Sequence, residues 1–387
     1  MPPVGSQKVL MEIRIYQQCT RCVMDTSDPE ITFGESGQCN HCTEFLNRRA
    51  KHKYNSARSD ESLIQIFDGI KRAGKGREYD CVIGVSGGAD SSYLALIARE
   101  RGLRPLAVHM DNGWNSEKAV LNIKNITGKL EIDYESYVLD WEEFKDLQLS
   151  FLKASVPEAE TPTDIAIPGA LHYFAAKHGI KYIISGGNQA TEGILPKSWH
   201  YNARDLKYLN HIQNTFGRKK QKTFPTFGYK AETYYKLVKG IRMVYPLNYV
   251  PFVKADAIKI LRDKFDWKDY GGKHHESIYT KFIQSYYLFE KFGIDYRRAG
   301  LAAQICNGEI GRTEANEQLE VRPYVADEVD IEISYIAKKL GIARNEFLRI
   351  VNLPAKWYWN YPNEDKKLSL IYDAYRFVFR KEKLANF

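Results

Sequence analysis

Residues 80–92 constrain this chain more than any other stretch. A short apolar run, D-C-V-I-G-V at 80–85, reads as a buried strand. S-G-G-A-D-S-S follows it directly and opens a helical composition that runs to Arg101 and stops at Gly102. Small residues at Gly87 and Gly88 let the backbone turn tightly and approach an anion, while the free amides and the positive end of the helix dipole face it. The hydroxyls of Ser86, Ser91 and Ser92 add donors, and Asp90 is placed to hold Mg2+ or the loop itself. A Gly-Gly pair alone marks an ordinary turn; the full run after a buried strand is far more specific. No G-x-x-x-x-G-K-[ST] occurs, so γ-phosphate transfer of the Walker type is not indicated.

The stretch around this loop alternates strand and helix. Strand patterns at 105–110, 134–139 and 181–185 are separated by helical patterns at 116–130 and 141–154 and by a helix that Thr163 and Asp164 cap and that reaches His178. Residues 243–246 read as a last strand. Such alternation predicts parallel βαβ units in a doubly wound α/β sheet, with ligands at the carboxyl ends of the strands. Residues 208–234 are basic and aromatic, and from 253 onward the chain is mostly helical, at 254–264, 277–292, 312–319, 331–340, 344–351 and 368–382. We therefore divide the chain into an N-terminal metal segment (1–55), a nucleotide domain (56–250) and a helical C-terminal region (251–387) that contributes substrate contacts.

Cys19 and Cys22 form one C-x-x-C pair and Cys39 and Cys42 a second, with sixteen residues between them. Four thiolates at that spacing close a tetrahedral structural zinc site and hold together a segment too short for its own core. His41 is a substitute ligand that four cysteines make unnecessary. Cys81 and Cys306 stand apart and read as small core residues. The first residues carry no export signal and no stretch approaches the ~20 apolar residues of a membrane span, so the expectation is a cytoplasmic protein without a membrane partner. A net charge of +8 suits anionic partners without choosing among them.

The loop at 86–92 resembles the PP-loop motif shared by GMP synthetase, asparagine synthetase, NAD synthetase and tRNA-thiolating enzymes. The resemblance implies an ATP-pyrophosphatase whose loop binds the departing pyrophosphate. It also implies that residues 108–113, with His109 and Asp111, hold adenine and ribose. Residues 185–193 look like the second nucleotide segment, with Gly187 and Asn188 at the nucleotide and with Asn188 and Glu192 in place of a more usual acidic pair; Glu192 is then a candidate metal ligand. Further segments, C-T-R-C-V-M-D-T (19–26), N-Q-A-T-E-G (188–193), Y-G-G-K-H-H-E-S (270–277), D-Y-R-R (295–298) and G-E-I-G-R-T-E-A (308–315), are similar to the N-acetyl sugar amidotransferases of lipopolysaccharide O-antigen and related surface-sugar pathways.

That resemblance implies conversion of an acetamido group on a nucleotide-activated sugar to an acetamidino group. AMP is transferred to the amide oxygen and ammonia then displaces it. It makes Lys273 the candidate for neutralising phosphate charge. His274, His275 and Glu276 handle protons, on the ground that histidine titrates near neutral pH. Arg297 and Arg298, with His274, are expected at the sugar diphosphate, since guanidinium binds phosphate in a bidentate way. Cys81 and Cys306 do not fit a glutaminase nucleophile, so ammonia is expected from a separate glutaminase. The expected cofactors are ATP, Mg2+ and structural Zn2+. The alternative is a tRNA-thiolating enzyme of the same loop class; otherwise no nucleic acid is expected.

Overall fold

The computed structural model describes residues 15–52, 59–272 and 275–379. Its elements are α1 (Asn40–His52), α2 (Ser59–Gly74), β1 (Cys81–Gly84), α3 (Ala89–Glu100), β2 (Pro105–Asp111), α4 (Glu117–Lys129), β3 (Tyr134–Val138), α5 (Trp141–Ala154), α6 (Thr161–Lys177), β4 (Tyr182–Ile184), α7 (Gln189–Glu192), α8 (Leu206–Phe216), α9 (Tyr229–Thr233), β5 (Arg242–Val244) and α10 (Lys254–Phe265). Helices α11 (Ile278–Phe282) and α12 (Leu288–Phe292) are continuous through a π-helical stretch, Ile283–Tyr287. Then follow α13 (Arg297–Asn307), α14 (Arg312–Glu320), α15 (Ala326–Leu340), α16 (Arg344–Val351) and α17 (Asp365–Phe379).

The five strands are all parallel and lie in the order β3-β2-β1-β4-β5, the doubly wound arrangement the alternation predicts. The order reverses between β1 and β4. A crevice opens outside the carboxyl ends of strands at such a reversal, and that is where a doubly wound sheet binds its ligand. Residues 86–92 leave β1 there, and residues 185–192 leave β4 beside them.

Alternation along β1 fixes its two faces. Cys81 and Ile83 face a core with α2, α3, α4 and α10, including Leu94, Ile97, Ile126 and Leu261. Val82 faces Leu106, Val108, Leu171, Phe174 and Ile183, the side covered by α6. A third and larger core joins the four N-terminal cysteines to α5, α8 and the helices from α11 to α16. No helix among the described residues is long and apolar enough to cross a membrane.

Local signals explain several helix ends. Ser116 accepts from the Ala119 amide at 3.2 Å and Asp140 from the Glu143 amide at 2.9 Å, so α4 and α5 begin on side-chain caps. Helix α15 stops at Gly341, at φ 75°. Among the longer helices, three were not evident from the sequence: α1, inside the cysteine segment; α8, in the basic aromatic stretch; and α13, which the arginine pair 297–298 opens. Their buried faces are completed by neighbours distant in sequence, so the local pattern understates them.

Gly87 sits at φ 80°, and a β-carbon there would run into the Ala119 backbone of α4. Gly76 shares the conformation, at φ 76°, with open space around it. Gly76→Ala is therefore expected to cost only the backbone strain of about 1 kcal/mol, and Gly87→Ala about 2 kcal/mol more. Urea unfolding of both variants measures the difference; equal costs would remove the claimed contact with α4.

Candidate functional site

The loop at 86–92 is folded on its own hydroxyls. Ser86 Oγ accepts from the Gly88 amide at 3.2 Å, and Ser91 Oγ donates to the Gly88 carbonyl at 3.2 Å. Ser92 is buried beneath the loop. The Gly87 carbonyl accepts twice, from Asn122 Nδ2 of α4 at 3.2 Å and from Trp267 Nε1 at 3.0 Å. Both bonds tie the loop to α4 and to the segment after α10.

Asp90 lies in the first turn of α3 and meets the second segment. Its Oδ2 is 3.3 Å from Asn188 Nδ2 and 3.4 Å from Thr191 Oγ1. Asn188 also caps α7, accepting from the Thr191 amide at 2.9 Å. Gly187 donates its amide to Ser185 Oγ at 3.3 Å. At Gly186 a β-carbon would fall 2.9 Å from the Ser91 amide nitrogen, so the β4 loop and the start of α3 touch through backbone. The two segments that resembled nucleotide-binding runs are thus one surface.

The C-terminal region closes it. Residues 276–278 run antiparallel to 114–116: the Ser116 amide donates to the Glu276 carbonyl at 2.8 Å and the Ile278 amide to the Trp114 carbonyl at 2.9 Å. This brings the Tyr270 hydroxyl and the Glu276 carboxyl beside Gly88, 3.2 and 3.5 Å from where a β-carbon would stand. Burial raises the Glu276 pKa, and the Asp90 carboxylate pushes the same way. Burial likewise raises the Tyr270 pKa, with Glu276 and Asp90 adding to it.

Several expectations change. His275 does not titrate near neutrality: burial, with Lys281 and Lys254 nearby, pushes its pKa down to about 4. Its Nδ1 accepts from the Gly272 amide at 3.1 Å, which leaves the proton on Nε2. Arg297 and Arg298 are not presented to a ligand. Arg297 forks onto Asp295 at 2.9 and 2.6 Å and onto the Gln318 and Val321 carbonyls. Arg298 spans the Val23 carbonyl at 2.7 Å and Asp25 at 3.1 Å. These bonds hold α13 against its neighbours.

His109 is a buried strut. Its Nδ1 donates to the Val85 carbonyl at 2.8 Å, and its Nε2 accepts from Asn115 at 2.8 Å. Asp111 accepts from the Gly113 amide at 2.8 Å and from Asn115 at 3.3 Å, which is the turn-forming use of an Asp-Asn-Gly run. Glu192 closes α7, and its charge is among those that raise the pKa of buried Tyr296. Lys273 and His274 lie outside the described residues.

A second group was missed. Glu160 and Asp164, one turn apart at the start of α6, lie at the same sheet edge, where Asn112 Nδ2 reaches Thr163 Oγ1 at 3.4 Å. Glu160 accepts from Gln284 Nε2 at 3.1 Å, and Asp164 is 3.6 Å from His200 Nδ1. Burial pushes both carboxyls up to about 7 and lowers the His200 pKa. Yet Asp164 and His200 keep 29% and 27% of their side-chain surface accessible, so they line a crevice that water enters. The i,i+4 spacing of Glu160 and Asp164 was the available signal, but Thr163-Asp164 read as a helix cap.

The cysteines fit one metal ion. All four sulfurs lie within 4.8 Å of one another, with Cys19–Cys42 at 3.9 Å and Cys22–Cys39 at 3.8 Å. A tetrahedron with ~2.3 Å metal–sulfur bonds has edges of about 3.8 Å. A [4Fe–4S] cluster binds each thiolate through a different iron and spreads them farther apart. His41 turns instead to Asp28, at 2.7 Å. The site is joined to the nucleotide surface by α1: the Phe45 carbonyl accepts from Gln189 Nε2 at 3.0 Å, and Arg48 donates to the Gly193 carbonyl.

Two outcomes follow. Arg298→Ala strands the buried Asp25 carboxylate and is expected to cost about 3 kcal/mol in urea unfolding, with ATP affinity unchanged in the folded protein; a loss of sugar or nucleotide binding without loss of stability would return Arg298 to the ligand. The raised pKa of Glu160 and Asp164 means the folded state holds protons that the unfolded state releases between about pH 4 and 7. Stability therefore falls as pH rises through that window, by about 1–3 kcal/mol after allowance for the water in the crevice. In Glu160→Gln/Asp164→Asn that slope is expected to flatten, as read by urea midpoints at pH 5 and 8.

Residues 276–375 match the family described as "LPS biosynthesis protein WbpG-like, C-terminal domain". No curated protein matches the chain. Among solved structures it is similar to NMN synthetase from Francisella tularensis, at 13% identity over 77% of this chain and 98% of that one, TM-score 0.33. It is also similar to the NH3-dependent NAD synthetase from Campylobacter jejuni, at 15% identity over 54% and 85%, TM-score 0.28. A third is the U34-tRNA thiolase NcsA from Methanococcus maripaludis, a structure with an iron–sulfur cluster, at 12% over 79% and 89%, TM-score 0.29. These likenesses are loose, and the fold rests on the strand order and the loop. The chain is a parallel α/β protein with a PP-loop-like run at 86–92, and its residues 276–375 match the C-terminal domain of WbpG-like LPS biosynthesis proteins.

Proposed function

We propose that this protein is an ATP-dependent, AMP-forming amidotransferase that converts an acetamido group of a nucleotide-activated N-acetyl sugar to an acetamidino group. The observation that carries the reading is the seating of Tyr270 and Glu276 against Gly88 of the phosphate loop. A segment that resembles the sugar amidotransferases thereby lies on a loop suited to pyrophosphate. The match to an LPS biosynthesis domain supports the sugar substrate.

An amide carbonyl is a poor electrophile and its oxygen a poor leaving group. Attack of that oxygen on the α-phosphorus of ATP gives an O-adenylated imidate and releases pyrophosphate. Ammonia adds to the imidate carbon, AMP departs, and the amidine remains. The amides at the start of α3 stabilise charge on the departing pyrophosphate. Asp90, held by Asn188 and Thr191, would be the residue to hold Mg2+, which would neutralise phosphate charge there. Glu160 and Asp164, with pKa values near 7, suit the removal of protons as ammonia adds. Neutral His275 serves as an Nε2–H donor rather than as an acid. The closed four-thiolate site suits zinc and has no open position for chemistry.

Ammonia comes from a separate glutaminase, and ATP and sugar nucleotides place the work in the cytoplasm. The second reading, a tRNA-thiolating enzyme, needs a cysteine at the nucleotide. All six cysteines are buried, with Cys81 inside β1 and Cys306 against the thiolate cluster.

The test incubates the protein with ATP, Mg2+, ammonium and a panel of UDP-N-acetyl sugars, followed by mass spectrometry. The expected product is lighter than its sugar by the difference between O and NH, and appears with AMP and pyrophosphate. In Asp90→Ala, AMP formation is expected to fall at least about 100-fold with the fold intact by circular dichroism. AMP release with every sugar unchanged would sink the acetamidine reading, and normal turnover by Asp90→Ala would sink the site.

A further inference from the structure

Cys306 reads from the sequence as a small core residue, yet it sits against the cysteine cluster. Its sulfur is 3.4 Å from Cys42 Sγ and is 2% exposed. The set of sulfurs that fits one ion does not include it. Four ligands already close a tetrahedral site, so the fifth sulfur lies outside the coordination sphere.

The hydrogen bonds at the cluster give it a role. Four thiolates around a divalent ion leave an excess of two negative charges in a buried place, and donors to the sulfurs must spread that charge. Cys19 Sγ accepts from the amides of Arg21, Cys22 and Cys39, at 3.4, 3.4 and 3.2 Å. Cys22 Sγ accepts from the Met24 amide at 3.4 Å, and Cys39 Sγ from the Cys42 amide at 3.4 Å. Among the described residues, Cys42 is the one ligand to which no backbone amide donates, and it is the one that Cys306 reaches. A metal-bound sulfur is deprotonated and can only accept, whereas a thiol outside the metal's reach keeps its proton and can donate it.

We propose that Cys306 is a positioning residue of the metal site, its S–H donating to metal-bound Cys42 and so tying α13 to the ion. The surroundings hold the thiol there. Arg49 of α1 clamps the end of α13 by donating to the Cys306 and Asn307 carbonyls at 3.2 and 3.1 Å. Arg312 donates to the Cys22 carbonyl at 3.1 Å, and Arg298 to the Val23 carbonyl at 2.7 Å. Helix α13 in turn runs beside α7, where Gly300 faces the Thr191 carbonyl. The same helix therefore touches the ligand shell at one end and the support of Asp90 along its side.

The inference rests on the metal site, not on the amidotransferase reading. The test measures zinc affinity of the full chain by competition with a chromogenic chelator, for the wild type, Cys306→Ala and Cys306→Ser. It also records the sulfur-to-cobalt charge-transfer band of the Co2+-loaded proteins. Cys306→Ala removes the donor together with the sulfur's volume and is expected to lower zinc affinity about 10- to 100-fold and to shift the band. Cys306→Ser restores a hydroxyl donor and is expected to stay close to wild type in both. Equal losses in the two variants would mean that packing, not the proton, matters. Unchanged affinity and an unshifted band in Cys306→Ala would overturn the proposal. A wild type that binds neither zinc nor cobalt would overturn the metal site itself, an outcome distinguishable from the other two.

Discussion

The Gly87 carbonyl organises the phosphate loop. Two donors from opposite parts of the chain, Asn122 of α4 and Trp267 after α10, converge on it. Only a glycine can place that carbonyl there, because the position needs φ 80° and abuts the Ala119 backbone. The Gly88 amide that follows is taken by Ser86 Oγ at 3.2 Å, so the turn of the loop is held at both a carbonyl and the next amide. Asn122 also holds the chain just after Trp267, pairing with Lys268 by donating to its carbonyl at 2.9 Å and accepting from its amide at 2.7 Å.

The cysteine segment extends this order to the other side of the crevice. Residues 15–39 contain no long element, and their buried side chains join the large core shared with α5, α8 and the C-terminal helices. Helix α1 starts among the cysteines, and its Phe45 and Arg48 grip the two ends of α7. A helix of four residues has little stability of its own and takes its position from such contacts. The thiolate cluster is thus part of the framework of the nucleotide surface rather than a remote staple, although it offers no open coordination position.

The crevice at Glu160 and Asp164 shows the opposite economy. Two carboxyls are held where burial opposes their charge, with Gln284 3.1 Å from Glu160, His200 3.6 Å from Asp164, and Arg204 only partly offsetting the burial of Asp164. Such an arrangement lowers stability near neutral pH and leaves groups that exchange protons there. It lies beside the loop that follows β2, where Asn112 Nδ2 reaches Thr163 Oγ1 at 3.4 Å.

By itself the sequence determined the elements whose reasons are local. The strand–loop–helix at 80–100, the alternation through β4 and the paired C-x-x-C knuckles all follow from side-chain periodicity, backbone freedom and ligand spacing within short windows. Tertiary structure decided what depends on partners distant in the chain. Arg297 and Arg298 read as phosphate binders because an exposed guanidinium suits phosphate, but Asp295, Asp25 and three carbonyls occupy them. His275 read as a group titrating near neutrality because an exposed imidazole does, and burial beside Lys281 and Lys254 removes that property. Cys306 read as packing because no second cysteine stands near it in sequence, whereas α13 carries it to Cys42. Charge state and hydrogen-bond partners are set by the three-dimensional surroundings, and a linear pattern holds only the part of those surroundings that lies within a few residues.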